Sequence, residues 1–147
     1  MFNVRVYGIM MNEQKQVLVT DEYIRGGFYT KFPGGGLEFG EGTLQCVVRE
    51  FQEELGLGVE VIEHIYTTDF FQLSAFGDNS QIISIYYLVK PLSAFNFPLL
   101  STPFDFVIPE DKRDVEGARW INWEEFSAEA VTLPIDKVVA DLVKARY

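Results

Sequence analysis

The chain has 147 residues, 48% hydrophobic and 15% aromatic, with a formal net charge of -10 and one cysteine. That length suits one domain with its own core, and that apolar content excludes a disordered chain. An acidic balance without a block of lysine or arginine argues against a nucleic-acid polymer or an anionic membrane as partner. Cys46 alone rules out an internal disulfide and suits a reducing cytoplasm.

The opening MFNVRVYGIMM lacks a basic segment ahead of an unbroken apolar run, so no signal peptide is expected, and no stretch reaches transmembrane length. Phe2 to Met11 is apolar and β-branched enough for a strand. Asn12-Glu13-Gln14 supplies a turn to a second strand, Gln16 to Asp21. Pro33-Gly34-Gly35-Gly36 reads as a tight loop, neither helix nor ordinary strand, whose bare backbone lets a ligand approach closely. Leu44, Val47, Val48, Phe51 and Leu55 recur at helical spacing and predict one apolar stripe, with Gly56 and Gly58 as the stop.

Val59 to Gln72 and Gln81 to Val89 carry β-branched and aromatic runs that read as strands, with Asp78-Asn79-Ser80 as a turn between them. Ala118 to Asn122 predicts a short strand, and Trp123 to Ala128 one helical turn or two. Pro134 opens a final helix, with Ile135, Val138, Val139 and Leu142 at helical spacing and Lys144 and Arg146 near its C-terminal end. No repeat or low-complexity tract interrupts this order. One helix mid-chain and one at the end, among strands, imply an α/β sandwich with helices on both faces of a mixed sheet, in a single domain over 1–147.

The chemistry concentrates in Gly35 to Leu57, GGLEFGEGTLQCVVREFQEELGL. Glu38, Glu41, Glu50, Glu53 and Glu54 gather around one arginine, Arg49. Glu50, Glu53 and Glu54 are spaced i, i+3, i+4, so they share one helix face, roughly opposite the apolar stripe. A glutamate-rich face is most often a solvated face. Here a glycine turn precedes it, Glu41 lies within reach of Arg49, and no lysine nearby in sequence relieves the repulsion. Like charges that close destabilise a helix unless a positive centre sits among them, and Mg²⁺ takes a few carboxylates together with substrate phosphates.

The same stretch resembles the Nudix box of the Nudix hydrolase family, without a gap. The matching positions are Gly35, Glu41, Arg49, Glu50, Phe51, Glu53, Glu54, Gly56 and Leu57. Phe51 stands where relatives usually carry an aliphatic residue, and it keeps the apolar role. Phe32-Pro33-Gly34-Gly35 resembles the turn that leads into the box. The resemblance implies an α/β/α sandwich and a cytoplasmic pyrophosphohydrolase. It also implies Mg²⁺, or Mn²⁺, held by Glu50, Glu53, Glu54 and the carbonyl of Gly34. Arg49 would orient the glutamates with Glu41 as its partner, and Glu53 would be the general base.

Relatives place a further carboxylate ahead of a tryptophan, which here implies Asp114, with Glu116 as the alternative, before Trp120. The implied substrate is a small nucleotide, by analogy with MutT-type members a nucleoside triphosphate. Hydrolysis of ADP-ribose or another nucleotide sugar, and nucleotide sensing without turnover, stand as alternatives. Arg5, Arg25 and Lys31 are candidate phosphate contacts, and Phe32 belongs to a set of aromatics able to stack on a base. Most aromatics are core, however, and exposed cations usually serve solubility. His64 and Cys46 read as structural. The segment from Asn96 to Asp114, with three prolines, is open as a substrate lid, a homodimer contact or a packed loop.

Overall fold

The computed structural model describes residues 1–147. Its elements run β1 (Phe2–Met10), β2 (Gln16–Ile24), β3 (Gly27–Lys31), β4 (Gly34–Gly36), α1 (Thr43–Leu55), β5 (Val59–Thr67), β6 (Gln81–Pro91), β7 (Val115–Asn122), a 3-10 turn (Ala128–Ala130) and α2 (Pro134–Arg146). They fall into two units, residues 1–10 with 33–97 and residues 11–32 with 98–147. None of the helices is long and apolar enough to cross a membrane.

The first unit holds the mixed sheet, in the order β4-β1-β6-β5. β1 runs parallel to β6 and antiparallel to β4, and β5 runs antiparallel to β6. A parallel pair needs a long crossover, and the stretch between β1 and β6 includes α1. The helix packs against β1, β4 and β5. Gly8 lets it seat: a Cβ there would stand 2.4 Å from Cε1 of Phe51, so the phenyl ring rests on bare strand backbone. Gly42 caps the start, its N–H donating to the Gln45 side chain at 2.7 Å, and Gly56 ends the helix in the left-handed region at φ 59.

The buried face of α1 differs from the expected stripe. Val47, Phe51 and Leu55 are buried, but Leu44 and Val48 are 51% and 37% exposed, and Cys46 is fully buried instead. The helix is rolled towards β4, which has no side chains to hold it off, and the Cys46 thiol lies 3.6 Å from the Gly36 carbonyl oxygen. Glu50 follows Cys46 by one turn and moves inward with it, to 12% side-chain exposure rather than the solvated side.

Gly34 to Gly36 is itself a correction, because it forms a strand and not a loop. β1 offers it a ladder, with Arg5, Val6 and Tyr7 opposite Gly36, Gly35 and Gly34. Tertiary pairing overrides the poor strand propensity of glycine.

The second unit holds an antiparallel sheet in the order β3-β2-β7. β3 was not expected from the sequence, and β7 begins at Val115, ahead of the expected Ala118. A helical turn does open at Trp123, with the Phe126 N–H donating to the Asn122 carbonyl at 3.0 Å, and a separate 3-10 turn follows at Ala128–Ala130, where Ser127 caps it by accepting from the Glu129 N–H. Ile135, Val139, Ala140 and Val143 of α2 are buried. Asp21, with no exposed surface, accepts from Thr30 Oγ1 at 2.7 Å, Arg119 Nε at 2.6 Å and the Phe104 N–H at 2.9 Å. It ties the segment around Phe104 to the sheet.

Candidate active site

Arg49 organises the first unit's acidic cluster. Its guanidinium grips Glu41 through two bonds, Nε to Oε2 at 2.9 Å and Nη2 to Oε1 at 2.7 Å. Nη1 donates to Glu50 Oε1 and to Glu53 Oε2, both at 3.0 Å, and Glu38 lies 3.6 Å away. Nη2 also donates to the Gly36 carbonyl at 3.1 Å. The planar fork of an arginine suits such a two-bond grip, which a lysine would not reproduce.

The Arg49 fork and the Glu38 backbone N–H, 2.9 Å from Glu41 Oε1, hold the Glu41 carboxyl down at about 2. Glu41 in turn raises the Arg49 guanidinium above its usual range. Burial, and then Glu41, push the Cys46 thiol up to about 12, so it stays protonated and is no nucleophile.

The glycines ahead of the helix are there for room. Gly34 has φ +153, and a Cβ on it would lie 2.1 Å from the Val6 carbonyl oxygen. A Cβ on Gly35 would strike the Glu50 carboxylate at 2.5 Å. Glu50 is therefore wedged against bare backbone, whereas Glu53 stands 58% exposed and Glu54 is half-buried.

Four carboxylates, Glu38, Glu41, Glu50 and Glu53, meet the one Arg49 guanidinium. As the side chains stand, no group of three or more His, Cys, Asp or Glu is close enough to hold a metal ion. Glu50 and Glu53 nonetheless both turn an oxygen to one nitrogen, so the helix face can gather carboxylates around a single positive centre. An all-oxygen donor set with excess negative charge fits a hard divalent cation.

Of the remaining candidates, Arg25, Lys31, Phe32 and Asp114 belong to the second unit. Asp114 Oδ1 accepts from the Arg25 N–H at 3.1 Å, and Arg25 has φ 47 in the turn between β2 and β3. The Lys31 side chain is 8% exposed and lies 3.4 Å from Glu22. Phe32 is fully buried, with its ring 6.1 Å from that of Phe126, which leaves it no surface for a substrate contact. His64 is a strand residue opposite Tyr87, with Nε2 2.8 Å from Thr67 Oγ1. Sequence reasoning missed the Gly36 carbonyl as an Arg49 acceptor. A third consecutive glycine, after the two that the turn requires, was the signal for it.

A mixed α/β chain with this acidic helix and glycine strand is of a recognisable kind. It belongs to the NUDIX domain family, whose model matches residues 1–142. It is similar to Nudix hydrolase 2 of Arabidopsis thaliana, at 29% identity over 126 residues, 84% of this chain and 40% of that protein. It is also similar to 8-oxo-dGTP diphosphatase of Escherichia coli (strain K12), at 42% identity over 52 residues, 34% of this chain and 40% of that protein. The match spans 40% of the length of each of these two relatives. A solved NUDIX hydrolase from Nitrosomonas europaea shares the fold, with a TM-score of 0.72 at 20% identity, covering 99% of this chain and 90% of that one.

Proposed function

We propose that this chain hydrolyses the pyrophosphate bond of a nucleoside diphosphate derivative, with a nucleoside triphosphate as the substrate class and a divalent metal as cofactor. The observation that carries the reading is the convergence of Glu41, Glu50 and Glu53 on Arg49 beside a side-chain-free strand. The relative named as an 8-oxo-dGTP diphosphatase supports a nucleotide substrate.

Glu50, Glu53, Glu54 and the Gly34 carbonyl are the groups that would hold Mg²⁺ or Mn²⁺. Such an ion supplies Lewis-acid charge at phosphate oxygens and activates water. Arg49 fixes the rotamers of Glu50 and Glu53 before any ligand arrives, which lowers the ordering cost of binding. Glu41 stays ionised at any working pH and keeps Arg49 in place. The bare backbone of Gly34 to Gly36 admits a phosphate closely.

Water attacks one phosphorus of the diphosphate, a new P–O bond forms, and the bond to the leaving phosphate breaks. Glu53, the exposed member of the set, takes the proton from the attacking water. Asp114, engaged with the Arg25 N–H, is assigned to its turn rather than to this step.

The test is a panel of nucleoside triphosphates, ADP-ribose and nucleotide sugars with Mg²⁺, in ¹⁸O-labelled water, with products separated by chromatography. A labelled monophosphate or pyrophosphate from a triphosphate is the expected result. Release of inorganic phosphate alone, or full activity in excess chelator, overturns the reading.

A further inference from the structure

We propose that Glu38 is a positioning residue of the acidic site, which takes over Arg49 Nη1 when Glu50 and Glu53 turn to a divalent cation. This rests on the metal-dependent reading above and gives a role to a carboxylate outside the ligand set. Two of the three Arg49 nitrogens are committed elsewhere. Nε and Nη2 donate to Glu41, and Nη2 donates also to the Gly36 carbonyl at 3.1 Å. A planar guanidinium held through two of its nitrogens has the third fixed in space. Nη1 therefore stays in place, 3.0 Å from Glu50 Oε1, 3.0 Å from Glu53 Oε2 and 3.6 Å from Glu38 Oε1.

The two shorter contacts and the proposed ion draw on the same carboxylates. As the side chains stand, no three acidic groups are close enough to hold a metal, so gathering Glu50, Glu53 and Glu54 around one ion requires side chains to turn. A doubly charged cation attracts a carboxylate more strongly than a guanidinium does at the same distance. Each carboxylate that turns weakens one acceptor of Nη1. The Arg49 side chain is 22% exposed, and a charged donor left short of acceptors in such a place is destabilising.

Glu38 is placed for that exchange. Its side chain is 67% exposed, so its carboxylate has room to close from 3.6 Å to the hydrogen-bonding range of about 3 Å. Its backbone, by contrast, is tied to the residue that grips the arginine. The Glu38 N–H donates to Glu41 Oε1 at 2.9 Å, and the Glu41 N–H donates to the Glu38 carbonyl at 3.3 Å. Glu38 also lies ahead of α1, so it does not depend on the helix turn that carries Glu50 and Glu53. Arg49 thus keeps an acidic partner on Nη1 while the helix carboxylates change theirs, and its grip on Glu41 is preserved.

Calorimetric titration with Mn²⁺ alone tests this without turnover. Glu38→Gln is expected to bind Mn²⁺ about 3- to 10-fold more weakly, the size of coupling usual within one ion-pair network. Its melting temperature in chelator should match wild type, because the side chain is exposed and its contact is long. Glu38→Asp keeps the charge but is one methylene short of Nη1, so it should lose as much affinity as Glu38→Gln. On an Arg49→Lys background, which lacks the fork, Glu38→Gln should cause no further loss. Wild-type Mn²⁺ affinity in Glu38→Gln overturns the inference. So does wild-type affinity in Glu38→Asp, which would mean that only the charge of Glu38 matters, or an equal loss on both Arg49 backgrounds. Should Arg49→Lys bind no Mn²⁺, the comparison of Glu38→Gln with Glu38→Asp decides by itself. If the wild-type chain binds Mn²⁺ but cleaves nothing in the panel, the hydrolase reading fails and the titration still decides the role of Glu38. A wild-type chain that binds no Mn²⁺ overturns the inference together with the metal reading.

Discussion

Each unit contains an arginine bonded to carboxylates, and the two arrangements differ in kind. In the second, Asp21 and Arg119 form one acid to one base, and Asp21 takes further bonds from a hydroxyl and a backbone N–H inside the core. Every charge there is answered, and the result holds a sheet to a loop. In the first, Arg49 meets Glu38, Glu41, Glu50 and Glu53 at a partly exposed surface, with Glu54 beside them in the helix. Those carboxylates outnumber the one guanidinium they share, and the proposed metal would offset the excess. Removing one partner of the buried pair leaves a charge unanswered in the core, whereas the exposed cluster carries the charge excess on which the proposed ligand site rests.

The sharpest way to break that contrast is Glu53→Gln. It keeps size and hydrogen bonding and removes the proposed base, so kcat should fall by about 10²–10⁴-fold. Its side chain is 58% exposed, so the melting temperature should hardly move. Full activity in this variant would take the base away from the helix and return attention to Asp114, with Asp114→Asn as the direct comparison.

The opposite outcome is expected for Asp21→Ala. Stripping the acid leaves the Arg119 guanidinium without its partner, a loss of about 3–5 kcal/mol for a buried pair. Chemical denaturation followed by fluorescence would measure it. A loss below about 1 kcal/mol would mean that the pair is no more than a surface bridge.

Metal addition bears on the cluster alone. An ion that binds only the folded chain stabilises it by about 2.7 kcal/mol at 100 times its dissociation constant. Mg²⁺ should therefore raise the melting temperature of the wild-type chain and fail to do so in Glu50→Gln. Equal shifts in both would place the ion elsewhere.

The same contrast explains what could be read from the sequence. The helix, its glycine stop and the box spacing were legible, because helical periodicity and turn chemistry are local. The strand at Gly34 to Gly36 was not, because nothing in three glycines announces a ladder that β1 supplies. The inward roll of α1 towards Cys46 was hidden for the same reason: the space exists only because the partner strand is bare. Asp21 carried no signal either. An acid within a strand looks solvated until Thr30, Phe104 and Arg119 are brought to it from 9, 83 and 98 residues away.

The smallest effect concerns Glu41, and its sign follows from the Arg49 fork. The carboxyl titrates near its ordinary 4.5 when the chain is unfolded and at about 2 in the folded cluster. A group with a depressed folded value adds stability that is fully present above the unfolded value and is lost as pH falls through the folded one. The Arg49 contact should therefore support the fold at neutral pH and fade between about pH 4.5 and pH 2. Glu41→Gln keeps the backbone contact with Glu38 but lacks the titrating charge. Its melting temperature should start slightly below wild type at pH 7 and converge with it as the pH falls across that window. Because the pair lies partly open to water, the gap should be modest and should shrink with added salt. Parallel curves for the two proteins over the whole range would mean that Glu41 has the same affinity for its proton folded and unfolded. Arg49 would then be held by Glu50 and Glu53 alone.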